Sequence, residues 1–140
     1  NMLDLTSLEQ AVNSLTESID KTEEFTKKQS DDFVMIKCLK AGSIQNFEFT
    51  YELAWKFMKR WLENNFDNDS VDGVSRRELF RLGAENKLID NVDTWMEYHG
   101  ARNMTSHTYN FHTAEEVYEI AKQFLKDTEK FLQELKKRND

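Results

Sequence analysis

The chain has 140 residues, is 39% hydrophobic and 32% charged, and carries a formal net charge of −7. That length and apolar share predict a single domain over 2–140 with a sizeable core, well outside the disordered class. The acidic balance excludes a broad electrostatic grip on nucleic acid, which needs massed Lys and Arg, but leaves room for a small site acting on RNA.

No proline and only four glycines favour long helices. Leu5, Leu8, Val12, Leu15 and Ile19 recur at three and four residues and make one apolar stripe on a first helix, about 5–28. "KKQSDD" breaks the pattern and offers Ser30 or Asp31 as N-cap of a second helix, about 32–65. Phe47, Tyr51, Ala54, Met58 and Leu62 form one stripe on it, widened by Trp55, and Phe49, Leu53, Phe57 and Trp61 form another. A helix apolar over so wide an arc is the central helix of a bundle, or it also meets a second subunit. The lone cysteine, Cys38, excludes an internal disulfide and a thiolate zinc site and reads as a small buried or half-buried hydrophobe.

"NNFDNDSVDGVS" (64–75) reads as a loop. Its likeness to a calcium loop fails in both registers. Counted from Asp67 the sixth residue is Asp72 instead of glycine, and a shift by one puts Leu79 at the twelfth position. Ser75 with Glu78 makes a capping box for a short helix to about Leu88. Asp90 is the next N-cap candidate, opening a helix over about 91–109 with Val92, Trp95 and Met96 toward the core. Thr113 with Glu116 makes another capping box. It opens a last helix whose Val117, Ala121, Phe124, Phe131 and Leu135 keep near-heptad spacing. The predicted fold is all-α, an up-and-down four-helix bundle with one additional short helix. No apolar run approaches a membrane span and no signal peptide is evident, so the expectation is a cytoplasmic protein without membrane contact.

The polar stretch "RNMTSHTY" (102–109) is the candidate site. His99, Asn103 and His107 lie four apart and share a face of an ideal helix, drifting about 40° per step. Arg102 and His107 are separated by about 140° and cannot easily grip one atom from one straight helix. Either the helix loosens after Gly100, or the two groups flank a groove, or two copies of the helix meet about a two-fold axis. Histidine suits the proton transfers of metal-free RNA cleavage, and arginine suits the phosphate charge. Asn103 can fix an imidazole tautomer or bind phosphate, and Tyr109 offers a hydroxyl. No acidic cluster converges here, so neither a metal nor a cofactor enters the reading. The spacing alone also allows plainer roles. His107 can satisfy helix-end carbonyls, Arg102 can be a surface ion-pair partner, and Tyr109 can lie at the core edge.

"IQNFEFTYELAWK" (44–56) followed by "RNMTSHTY" resembles the HEPN proteins encoded beside minimal nucleotidyltransferases. These are also called nucleotidyltransferase substrate-binding proteins, or HepT-type toxins. The similarity covers nearly the whole chain. It implies a helical-bundle homodimer, a separate minimal nucleotidyltransferase as partner, and RNA as substrate. It also implies a metal-independent ribonuclease signature in Arg102, Asn103 and His107, beside which His99 is an accessory candidate from its spacing alone. Tyr109 falls where such toxins receive AMP from the partner and are silenced. Two further readings stand beside it: a non-catalytic nucleotide- or substrate-binding subunit of the transferase, and a structural helical adaptor.

Overall fold

The computed structural model describes residues 2–66 and 68–139, with Asn68 and Ser70 described by backbone alone. The elements are α1 (Thr6–Lys28), α2 (Phe33–Asn65), the single turn α3 (Asn68–Val71), α4 (Arg76–Glu85), α5 (Val92–Asn103), a 3₁₀ turn (Thr105–His107) and α6 (Phe111–Lys137). No strand occurs among the described residues. The architecture is the all-α bundle expected: α1, α2, α5 and α6 pack as long helices and α4 is the additional short one. α3 sits inside the segment expected to be loop, and Asp67 of that segment lies outside the described residues.

The α1 stripe is buried as its spacing requires, from Leu8 through Ile19. On α2 the first stripe, Phe47 to Leu62, is fully inside. The second divides. Phe57 and Trp61 are buried, whereas Phe49 is 57% exposed. Phe124 of α6 is the centre of the aromatic core. Its ring lies 5.1 Å from Phe47, 5.2 Å from Tyr98 and 5.8 Å from Trp95, all edge-on, the arrangement that ring quadrupoles favour.

Three of the four buried polar residues among those described, Thr22, Ser43 and Thr50, bond across helices, whereas the Thr128 hydroxyl has no partner. Thr22 of α1 meets Ser43 of α2 at 3.2 Å, and Thr50 donates to the Ala11 carbonyl at 3.2 Å. Tyr118 and Lys122 of α6 both donate to the Glu23 carboxylate on α1. Burial alone would raise that carboxyl, but these two bonds and the charges of Lys122 and Lys40 hold it below its ordinary value. The C-terminal segment is clasped to the N-terminal one by reciprocal bonds between Asn139 and the backbone of Leu3.

Three local expectations are corrected. Asp32, instead of Ser30 or Asp31, caps α2 by accepting from the Met35 N–H. Cys38 is exposed, because the first two turns of α2 project past the packed region and burial on this helix begins at Ser43. α4 stops at Glu85 instead of near Leu88. Leu88 N donates to Gly83 O and Lys87 N to Ala84 O, a Schellman turn with Lys87 at φ 61°. Among the described residues no helix is long and apolar enough to cross a membrane.

Candidate functional site

The segment after Asn103 decides where the polar residues go. Asn91, not Asp90, caps α5 by accepting from the Thr94 N–H at 2.9 Å. α5 does not reach Tyr109. At Met104 the backbone N–H is shared between Gly100 and Ala101 carbonyls, which tightens the helix into the 3₁₀ turn. Thr105 Oγ1 donates to the Arg102 carbonyl at 2.8 Å and Thr108 Oγ1 to the Thr105 carbonyl at 3.1 Å. Such side-chain bonds give the backbone an alternative to the helical ladder. Asn110 then caps α6 by accepting from the Thr113 N–H, so Thr113 with Glu116 is not the start of that helix. Of the three arrangements open to Arg102 and His107, the loosened helix is present, with the break four residues beyond Gly100.

Arg102 is half-buried and held from α2. Its Nε donates to Glu52 at 3.2 Å, and its Nη1 lies 3.4 Å from Glu48 and donates to Thr105 at 3.1 Å. Glu52 in turn accepts from Trp55 Nε1 at 3.1 Å. The Arg76 guanidinium covers the Trp55 ring at 3.6 Å, and Arg76 Nη1 donates to Tyr51 Oη at 3.4 Å. Tyr51 Oη is 2.8 Å from His99 Nδ1. Burial pushes the Tyr51 phenol up to about 12, so it keeps its proton beside His99. Burial and the Arg76 charge keep the His99 imidazole below its ordinary value, against the pull of Glu52. His99 thus belongs to a network with Tyr51 and Arg76.

Asn103, His107 and Tyr109 are all exposed, and Tyr109 is 82% so. The His107 and Tyr109 rings stand 6.2 Å apart, edge-on. No hydrogen bond joins Arg102 to His107 among the described residues. Arg102, Glu48 and Glu52 instead line a groove of about 800 Å³ between α1, α2 and the turn, with Phe49 and Leu53 as its apolar wall and Thr108 at its end. Sequence reasoning missed Glu48, Glu52, Trp55 and Arg76. The signal available was two carboxylates one helical turn apart inside an otherwise apolar stretch. No group of three or more His, Cys, Asp or Glu side chains is placed to hold a metal among the described residues.

Fold and site together define a class: an all-α bundle with an arginine–histidine turn at the end of α5 and a groove against α2. Residues 3–137 match the family model described as nucleotidyltransferase substrate binding protein like, and the chain belongs to that family. It is 33% identical over 138 residues to the Haemophilus influenzae protein named "Probable ribonuclease HepT", covering 98% of this chain and 94% of that one. A solved Haemophilus influenzae structure, described as the fold of a substrate binding domain of a nucleotidyltransferase, superposes with a TM-score of 0.88 at 31% identity. That match covers 95% of this chain and 99% of the other. A protein from Thermus thermophilus shares the fold with a TM-score of 0.63 at 22% identity, over 86% of this chain and 98% of its own.

Proposed function

We propose that the chain is a metal-independent endoribonuclease that works as a homodimer and is silenced by a separate minimal nucleotidyltransferase, which transfers AMP to Tyr109. The observation that carries this reading is the turn itself. It presents Asn103, His107 and Tyr109 to solvent while Arg102 lines the adjoining groove. In the reaction, one His107 takes the proton of a ribose 2′-hydroxyl and the oxygen attacks the adjacent phosphorus. The bond from phosphorus to the 5′-oxygen breaks, and the second copy's His107 returns a proton to that oxygen. Arg102 of each copy compensates the extra phosphate charge, and Asn103 orients the phosphate or an imidazole. The products are a 2′,3′-cyclic phosphate and a 5′-hydroxyl. A dimer formed over Phe49 and Leu53 brings the two Arg102 grooves together, and covers the half of the α2 stripe that the bundle leaves open.

Silencing is an in-line transfer. Tyr109 Oη attacks the α-phosphorus of ATP, the bond to the β-phosphate oxygen breaks, pyrophosphate leaves, and the phenol proton passes to a base of the transferase. The relatives' descriptions as ribonuclease and as nucleotidyltransferase substrate binding domain support the two halves of this reading. Cleavage of RNA in EDTA, leaving 2′,3′-cyclic ends, is expected to drop at least ~100-fold in Arg102→Ala and in His107→Ala with circular dichroism unchanged. Undiminished cleavage in both variants refutes the assignment. Incubation with the cognate transferase and ATP is expected to add AMP mass to wild type and none to Tyr109→Phe.

A second reading has an observation of its own. Two carboxylates face one guanidinium in the groove, so an incoming phosphate competes with Glu48 and Glu52 for Arg102. In a non-catalytic subunit that presents a substrate to the transferase, the phosphate that makes this exchange at Arg102 is a bound nucleotide's. This reading predicts nucleotide binding, with or without the partner, and no RNA turnover.

A further inference from the structure

A second groove opens on the far side of Thr108. It runs between the projecting start of α2 and the start of α6, measures about 350 Å³, and has Tyr109 in its lining. Its volume lies at the small end of ligand-sized pockets, which span roughly 300–1,000 Å³. Ile36, Phe33 and Phe111 supply apolar and aromatic walls, and the last two are 76% and 66% exposed. No residue of the bundle core accounts for leaving three large rings, Phe33, Tyr109 and Phe111, in solvent around one depression.

The two lysines of this groove differ. Lys40 is already satisfied: its Nζ lies 2.6 and 2.9 Å from the two Glu115 oxygens and 5.1 Å from the centre of the Tyr118 ring. Lys37, on the same lining, has no carboxylate partner among the described residues. Lys37 and Lys40 against Glu115 leave the groove with one uncompensated positive charge, in a chain whose net charge is −7. Stackable rings, an uncompensated cation and a reachable hydroxyl are complementary to a nucleoside monophosphate.

We infer that this groove is the seat of the adenylate carried by Tyr109, a proposal that rests on Tyr109 being the modified residue. The rings cover the adenine and Lys37 faces the phosphodiester. A weak seat suffices, because a group tethered to Tyr109 meets it at an effective concentration in the millimolar range or above. The seat also supplies a reason for silencing. Thr108, Ala41 and Ile44 line both grooves, so a docked adenylate places bulk and negative charge at the shared rim, where an RNA phosphate must pass to reach Arg102.

Two measurements test this. In the first, AMP is titrated into the unmodified chain and backbone amide shifts are followed by NMR. Saturable shifts confined to Phe33, Ile36, Lys37 and Phe111 are expected, weakened several-fold in Lys37→Glu and several-fold for adenosine relative to AMP. Shifts elsewhere, or shifts indifferent to Lys37→Glu, overturn the seat. In the second, chain modified by the transferase and ATP is exposed to a phosphodiesterase. Release of AMP is expected several-fold faster from Lys37→Glu and Phe111→Ser than from wild type. Equal release with Tyr109 modified overturns the seat alone, whereas a chain that gains no AMP at Tyr109 overturns the seat together with the reading beneath it. If Phe111→Ser instead converts a dimer to a monomer, the groove is a subunit contact and the proposal falls.

Discussion

His99 shows how one side chain's neighbours set its chemistry. Its Nδ1 lies 2.8 Å from Tyr51 Oη, burial disfavours an imidazolium, and the Arg76 guanidinium on α4 disfavours it further. Glu52 pulls the other way without prevailing. The folded chain therefore takes up this proton at a lower pH than the unfolded chain does. Above the unfolded value, near 6.5, the difference has no effect on stability. As pH falls below that value the unfolded state gains the proton first, and stability declines until the lowered folded value is passed. Urea midpoints measured from about pH 7.5 down to about pH 5 should fall more steeply for wild type than for His99→Gln. Parallel curves would mean that His99 does not contribute to the acid limb. Arg102 differs in kind from His99, since its charge is permanent and its partners fix its position instead of its protonation. Glu52 holds the Nε edge, Trp55 donates to Glu52, and Arg76 stacks on the Trp55 ring.

At the scale of elements, helix ends carry most of the information. The Schellman turn after α4 places Lys87 at φ 61°, a conformation that costs a β-carbon-bearing residue about 1 kcal/mol relative to glycine. Lys87→Gly is expected to raise stability by roughly 0.5–1 kcal/mol, read as a higher urea midpoint at unchanged slope. A lower midpoint would show that the lysine side chain has a packing role that outweighs the backbone strain. The turn that follows α5 is built on the same principle of competition. Thr105, Thr108 and Asn110 each offer the backbone a side-chain bond, and together they end α5 four residues before His107. That break frees Arg102 to reach α2 while His107 and Tyr109 face outward. Capping signals in the sequence were legible where the capping residue is followed by an uninterrupted helix, as at Ser75. They misled at Thr113, because Asn110 three residues earlier offers a competing cap and the helix takes up Phe111 and His112 as well.

At the scale of the molecule, the α2 surface is the deciding feature. Phe49 is over half exposed beside the Arg102 groove, on the helix that otherwise forms the centre of the core. Sedimentation equilibrium of the wild-type chain should give a dimer, and Phe49→Asp should shift it toward monomer while leaving the helical circular dichroism unchanged. A wild-type monomer at high concentration would remove the two-subunit site. The stripes on α1 and α6, and the first stripe on α2, were readable from spacing alone, because a helix that buries one face must repeat its apolar residues every three or four positions. The type and order of the long helices were readable for the same reason, whereas 102–109 read as helix to Tyr109 and in the structure breaks after Asn103. What spacing could not show is which side chains from separate helices converge. The Glu48 and Glu52 clasp on Arg102, the pairing of His99 with Tyr51 and the groove beside Tyr109 each join residues tens of positions apart. Periodicity reports which face of one helix is dry. Only packing fixes how those faces rotate against each other, and so which polar group meets a partner and which is left for a ligand.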